Sequence, residues 1–240
     1  MTISFPRFQA DNTLVRVTPA QVVPGFAPPS VIVAEKRKPG TYRRFLKRAR
    51  DVGAIQLAAP IVVPVVAVLA VAVSRDGGRA FYTQQRVGQQ GRAFRMWKLR
   101  SMVSDADARM ADYLAANPAA RAEWDSTQKL KNDPRVTAFG RLLRRTSLDE
   151  LPQLWNVLIG DMSLVGPRPM MLNQQALYPG TAYYALRPGI TGLWQTAGRN
   201  RTTFEARADF DAAYEAQVSL VADVKILVRT VGVVVKATGC

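Results

Sequence analysis

The stretch Thr146–Pro169, TSLDELPQLWNVLIGDMSLVGPRP, decides how the rest of the chain is read. Ser147 followed three residues later by Glu150 has the form of a capping box. Leu148, Leu151, Leu154, Trp155 and Leu158 then recur at helical spacing. The pattern predicts a helix that opens at Ser147 and stops at Gly160. Beyond it, Gly166-Pro167-Arg168-Pro169 forms a stiff turn that presents one arginine. Asp149 and Glu150 fall in the first helical turn, about 100° apart around its axis, so the two carboxylates can hold different roles. At the positive end of a helix dipole Asp149 is expected to be ionised and ready as a nucleophile. Glu150 has two competing readings, because a side chain bonded back to Ser147 is not free to hold a metal.

Immediately upstream, Thr137 caps a predicted helix through Arg145 that gathers Arg141, Arg144 and Arg145 on a shared face leading into the carboxylates. Further back, Asp105–Leu130 is an Ala-rich helical region with a break expected near Pro118. Phe81–Met102, FYTQQRVGQQGRAFRMWKLRSM, reads as a β-hairpin turning at Gly88–Gly91, with Lys98 and Arg100 on one strand face. Downstream, LRPGITGLWQTAGRN (Leu186–Asn200) has turn-forming glycines and a proline that could bring Arg187, Gln195 and Arg199 together. Thr203–Gln217 is an amphipathic helix, and Val221–Ala237 carries an apolar stripe with Lys225, Arg229 and Lys236, which suits a membrane surface.

The first half of the chain indicates a membrane. Lys36, Arg37, Lys38, Arg43, Arg44, Lys47, Arg48 and Arg50 precede a run without charge, Val52–Val73, which as a helix would extend roughly 33 Å. Pro60 and Pro64 interrupt it, and Arg75, Arg79, Arg86 and Arg92 follow it, so both flanks are basic. A helix that enters, bends and leaves by the same face satisfies both facts; a bent transmembrane helix is the alternative. Residues 1–34, with Pro19, Pro24, Pro28 and Pro29, read as a disordered cytoplasmic arm.

The composition narrows the chemistry. Among 240 residues there is no histidine and one cysteine, Cys240, which excludes Ser-His-Asp catalysis, zinc clusters and an internal disulfide. A formal charge of +15 attracts polyanions: nucleic acid, anionic lipid or phosphorylated substrates. No zinc-finger, RNA-recognition or basic-zipper signature is present.

SLDELPQLWNVL with GDMSLVGPRP closely resembles the signature of the bacterial sugar transferases, the monotopic phosphoglycosyl transferases that begin exopolysaccharide and glycan assembly on polyprenol phosphate. The hairpin is similar to that family's Q-x-R-V-G-x-x-G-x-F-x-x-x-K-x-R-S-M element, and Leu186–Asn200 to its R-P-G-I-T-G-x-x-Q-x-x-G-R-N segment. The likeness runs from about Arg43 to the C-terminus. It implies an α+β fold: a small, mostly helical cytoplasmic domain with a β-hairpin, a re-entrant membrane helix and interfacial amphipathic helices. Residues 35–78 would form the basic segment and re-entrant helix, and 79–240 the catalytic domain. Pro64 matches the family's membrane break, with Pro60 the other candidate; Val63 stands where relatives commonly carry serine.

The resemblance implies transfer of a sugar 1-phosphate from a UDP-sugar to undecaprenyl (polyprenol) phosphate, with release of UMP. The location it implies is the cytoplasmic face of the bacterial inner membrane. Asp149 and Glu150 would be catalytic, Glu150 holding Mg2+, and Lys98, Arg100, Arg145, Arg168, Gln195 and Arg199 would bind substrate. The expected partners are the UDP-sugar, polyprenol phosphate and membrane lipids, and not nucleic acid. Two other classes fit the composition: a membrane scaffold that keeps the fold without catalysis, and a basic nucleic-acid-binding protein.

Overall fold

The charge-free run folds as one helix. In the computed structural model, which describes residues 40–127, 130–197 and 204–235, a π-helical turn, Tyr42–Leu46, leads into α1, Lys47–Ser74. The backbone stays helical across Pro60 and Pro64, and the whole Tyr42–Ser74 stretch is long and apolar enough, by length and composition, to cross a membrane. Its middle faces outward, with Leu57 84 % and Ile61 73 % exposed. Both ends are anchored to the same folded domain. At the first, Ile55 joins a core cluster with Phe94, Met96, Val157 and Met162, and Asp51 accepts a 2.5 Å hydrogen bond from Ser163. At the second, Val73 packs with Leu99 and Leu143.

The hairpin forms as the alternation predicts. β1 (Phe81–Val87) pairs antiparallel with β2 (Ala93–Leu99), from Phe81 opposite Leu99 to Val87 opposite Ala93. The reversal is tight because Gln90 and Gly91 take positive φ, 59° and 77°. The helical region beyond it splits into α2 (Ala106–Ala116) and α3 (Pro118–Thr127), with Asn117 extended between them, as a residue before proline favours. α4 (Ala138–Thr146) starts where expected, the Thr137 hydroxyl accepting from the Gly140 amide at 2.8 Å. Gly140 lies so close to the next segment that a Cβ there would come within 2.0 Å of the Ser101 carbonyl oxygen.

At Ser147 the expected capping box does not form. Ser147 instead ends α4 in the left-handed conformation (φ 57°), and its side chain makes no cap hydrogen bond. Leu148–Glu150 is a single 3-10 turn, and α5 begins only at Gln153 and runs to Ile159, closed by Gly160 at φ 97°. The reason lies at Pro152: it has no N–H to donate, and in an α-helix its ring would meet the carbonyl of Leu148.

A second, parallel pair, β3 (Ser163–Val165) with β4 (Gly189–Thr191), flanks the Gly166–Pro169 turn. It was not foreseen, because three residues are too few to display alternation. The chain continues through a 3-10 segment (Leu172–Leu177) and α6 (Ala182–Ala185), with α7 (Leu193–Ala197) following β4. α8 (Arg207–Gln217) and α9 (Leu220–Val235) complete the described fold. It is mixed helix and sheet, mostly helical.

α9 divides cleanly by face. Leu220, Val221, Val224, Val228 and Val231 are exposed, while Ile226 joins Val165, Leu186 and Tyr214 in the core. On the same inward side, buried Asp223 accepts hydrogen bonds at the root of α1: Lys47 at 2.7 Å, Arg50 at 2.6 Å and the Tyr42 hydroxyl at 2.7 Å. The Tyr214 hydroxyl adds a fourth at 2.5 Å.

Candidate active site

The carboxylates sit on the 3-10 turn between α4 and α5, and β2 brings a cation to them. The Lys98 ammonium lies 2.8 Å from Glu150 Oε1 and 3.7 Å from Asp149 Oδ2. Buried Asn156 of α5 sets this approach, accepting from the Trp97 amide at 3.0 Å and donating to the Arg95 carbonyl at 2.7 Å. These bonds fix the register of α5 against β2 one residue before Lys98. Neither strand nor helix periodicity marks Asn156, which reads in sequence as a polar interruption of an apolar helix.

Asp149 is 7 % exposed. Burial pushes its carboxyl above the usual aspartate range; the Lys98 charge opposes that, the neighbouring Glu150 adds to it, and Arg144 opposes it. The expectation that Asp149 sits in the first turn of a helix is corrected: α5 starts after the 3-10 turn, and two side-chain cations, rather than the helix end, oppose the effect of burial without overcoming it. Arg144 is one of them. Its Nε donates to Ser101 Oγ at 2.9 Å, and its charge acts on Asp149 from there. Arg145, the arginine expected here, is exposed on the outer side of α4, and the structure does not bring it to the cluster. The i, i+3, i+4 pattern marked all three arginines equally; only the packing of α4 on Ser101 separates them.

Arg100 is a second correction. It lies just beyond β2 and its guanidinium turns away from Lys98, bonding Asp76 at 2.5 Å and 2.8 Å and the carbonyls of Val73, Arg79 and Met102. It caps the C-terminal end of α1, where carbonyls have no helical partner.

Lys98 and Glu150 line a small polar cavity with Gln153, Arg168 and Arg86. Arg168 projects from the Gly166–Pro169 turn, which sits directly on β4: a Cβ on Gly189 would lie 2.1 Å from the Gly166 nitrogen, so the two backbones touch. Arg207 holds the turn from behind, donating to the Arg168 carbonyl at 2.5 Å. Its guanidinium stacks on Trp194 at 5.1 Å and Phe204 at 4.9 Å. From the hairpin, Arg86 reaches the Pro169 carbonyl at 3.4 Å. Gln195 is 6 % exposed, and neither amide atom has a hydrogen-bond partner among the described residues. Arg199 and the 1–34 arm lie outside the described residues. Of the predicted residues, then, Asp149, Glu150, Lys98 and Arg168 come together, and Gln195 is buried in α7. Arg86, inside the hairpin element, and Arg144, on the arginine face, were marked by pattern but not singled out for the site, whereas Arg207, a lone basic position in a chain of charge +15, gives no signal by itself.

No cluster of three or more His, Cys, Asp or Glu side chains suited to a metal occurs among the described residues. The donor set nevertheless fits Mg2+, which is commonly bound by one or two carboxylates, with water and substrate phosphate completing its shell. Glu150, with Asp149 adjacent, supplies that minimum beside a cationic cavity, once Lys98 gives up its bond to Glu150.

The pattern of the family described as bacterial sugar transferase matches residues 42–237. The chain is 49 % identical over 199 residues to the UDP-galactose-lipid carrier transferase of Erwinia amylovora, covering 82 % of this chain and 42 % of that protein. It is 48 % identical over 198 residues to the undecaprenyl-phosphate galactose phosphotransferase of Salmonella typhimurium, with coverage of 82 % and 42 %. To the exopolysaccharide production protein ExoY of Rhizobium meliloti it is 42 % identical over 196 residues, 80 % of this chain and 87 % of that one. The chain thus spans less than half the length of the first two relatives and most of the third.

Proposed function

This chain belongs to the bacterial sugar transferase family, and from that membership we propose that it transfers a sugar 1-phosphate from a UDP-sugar to undecaprenyl phosphate. UMP is released, and the reaction begins assembly of an exopolysaccharide or related glycan. The observation that carries the reading is a buried aspartate, Asp149, 3.7 Å from Lys98, which with Glu150 and Arg168 lines a small polar cavity. That arrangement suits phosphoryl transfer, which needs an aligned nucleophile and stabilisation of negative charge more than any covalent participation of many groups.

In the first step an Asp149 carboxylate oxygen attacks the sugar-bearing phosphorus. A P–O bond to Asp149 forms as the bond to UMP breaks, and UMP leaves with the electron pair as a phosphate monoester. In the second step an oxygen of undecaprenyl phosphate attacks the same phosphorus, and the Asp149 carboxylate leaves. Lys98 favours the ionised form of Asp149 against the cost of burial, and Arg168, lining the same cavity as Lys98, would face the donor phosphates. Glu150 would hold Mg2+, which when bound neutralises phosphate charge and favours departure of the nucleotide. A direct displacement by the lipid phosphate is the rival scheme.

Purified protein given a UDP-sugar and Mg2+ but no lipid is expected to release UMP in an amount close to that of active enzyme, and to gain the mass of one sugar phosphate. If UMP appears only when lipid phosphate is added, in protein that otherwise turns over, the covalent step is wrong.

The same reading seats α1 as a re-entrant helix at the cytoplasmic face. Its support is that both ends of the exposed apolar stretch pack on one polar domain. A crossing helix would instead place those ends on opposite sides of the membrane. The outward face of α9 suits the same membrane surface. In a Cys240→Ser background, Gly40→Cys and Gln85→Cys should both label from the cytoplasm; periplasmic labelling of either position would make α1 a true span.

A further inference from the structure

Three consecutive residues at the end of β2 reach three different parts of the molecule. The Lys98 ammonium meets the carboxylates, 2.8 Å from Glu150 and 3.7 Å from Asp149. Leu99 is buried in the cluster with Val73 of α1 and Leu143 of α4, and Leu148, the residue before Asp149, packs against the same cluster. Arg100 turns to the exit end of α1. A guanidinium has five N–H donors, and each is used here. Nε donates to the Arg79 carbonyl at 2.7 Å, one terminal nitrogen to Asp76 at 2.8 Å and the Met102 carbonyl at 2.9 Å, and the other to Asp76 at 2.5 Å and the Val73 carbonyl at 3.0 Å. None is left over for a substrate phosphate.

The loop that receives Arg100 is shaped for it. Asp76 accepts from the Gly78 amide at 3.0 Å, which fixes its carboxylate, and Gly77 turns the chain at φ 81°. A Cβ on Gly78 would lie 2.8 Å from an Arg100 terminal nitrogen, so the guanidinium occupies space that any larger residue would fill. The Arg100 amide also donates to the Ala80 carbonyl at 2.8 Å, which holds the backbone. An ion pair at the surface alone contributes little. Here the Arg100 side chain is 11 % exposed, and its bonds gather α1, the loop and the residues after β2 around one group. The strand is therefore held on both sides of Lys98: Asn156 fixes the Trp97 amide before it, and Arg100 fixes α1 after it.

We propose that Arg100 is a positioning residue: it staples the exit end of α1 to the end of β2 and so sets where Lys98 meets Asp149 and Glu150. The seat of the apolar helix is thereby felt at the catalytic centre. The inference rests on the phosphoglycosyl-transfer reading, and it gives Arg100 a different role from the substrate contact that the family resemblance implies. The two roles part in kinetics. A group that touches the donor adds to its binding, so its loss raises KM and weakens the nucleotide. A group that only places Lys98 leaves that binding as it was and acts on kcat.

The test uses the detergent-solubilised full chain, with three measurements: turnover of UDP-galactose and UDP-glucose with undecaprenyl phosphate, equilibrium binding of UMP, and hydrogen exchange across β2. Arg100→Ala should lower kcat by about tenfold or more while KM and UMP affinity stay within about twofold, since a small displacement of a reacting group costs that and more. Arg100→Lys keeps a charge for Asp76 but has three donors in place of five, and should regain part of kcat. Asp76→Asn, outside the cavity, should also lower kcat alone, and the double variant should be no slower than Arg100→Ala, because both changes break one contact. Exchange across β2 should quicken in Arg100→Ala. A raised KM with weakened UMP binding at unchanged kcat overturns the proposal and returns Arg100 to the substrate. Unchanged kinetics in a folded Arg100→Ala protein overturns it as well. So does an Arg100→Lys protein as slow as Arg100→Ala with an equally lowered melting transition, the mark of a purely structural role. If the wild type turns over neither sugar nucleotide, the failure lies with the donor reading, and exchange decides the staple: quicker exchange in Arg100→Ala upholds it, and unchanged exchange overturns it.

Discussion

Replacing Asp149 by asparagine is expected to lower turnover by about a thousandfold or more, the loss seen when a nucleophile is removed and only binding and charge stabilisation remain. The side chain is buried and its partners are Lys98 and Arg144, so asparagine keeps the volume and removes the charge. The melting transition should move little, which makes the loss chemical. UMP release without lipid and the sugar-phosphate adduct should vanish together. Glu150→Gln should instead leave measurable turnover with an altered magnesium requirement. The pH profile follows from burial. Because the Asp149 carboxyl lies above the usual aspartate range, its ionised fraction, and turnover with it, should begin to fall on acidification before an ordinary aspartate would protonate. An Asp149→Asn protein that still forms the adduct would move the nucleophile elsewhere.

Asp223→Asn should be the most damaging change outside the site, with a loss of ~3–5 kcal/mol, the usual cost of leaving buried charges without their partner. Four donors converge on this carboxylate from the root of α1 and from α8: Tyr42, Lys47, Arg50 and Tyr214. Burial opposes the ionised form, yet the Lys47 charge and these hydrogen bonds outweigh it and hold Asp223 below the usual carboxylate range. A depressed folded-state pKa stabilises above the unfolded value, near 4, and the stabilisation is lost as the pH falls through the folded value. Denaturant titrations from pH 7 down to pH 3 should therefore show the wild type converging on the variant at the acid end. A midpoint unchanged by the substitution at pH 7 would remove the clamp from the account of stability.

Much of this arrangement is legible in the chain, and the boundary of legibility has physical causes. The hairpin and the break at Asn117 rest on local chemistry, so alternation, glycine and proline announce them. The Thr137 cap is equally local. Ser147 is different. The string Ser-x-x-Glu suits a helix start, but here a helix already arrives from the N-terminal side and Pro152 blocks a regular one beyond, so the serine becomes an exit. β3 and β4 are joined by pairing across more than twenty residues of chain, and three-residue strands leave no periodic trace. Motif likeness and strand alternation implied that Arg100 binds substrate beside Lys98, but its guanidinium is engaged by Asp76 and three carbonyls. Arg207 acts through a carbonyl rather than through a motif of its own, and only the folded turn reveals it.

The Asp223 clamp also sets an order of events during biosynthesis. Lys47 and Arg50 leave the ribosome 176 and 173 residues ahead of the carboxylate that receives them. Throughout that interval the base of the apolar helix is an open patch of basic side chains, free to lie against anionic head groups. Closing the clamp requires α9 to arrive, so the root of α1 stays open until synthesis has passed Asp223.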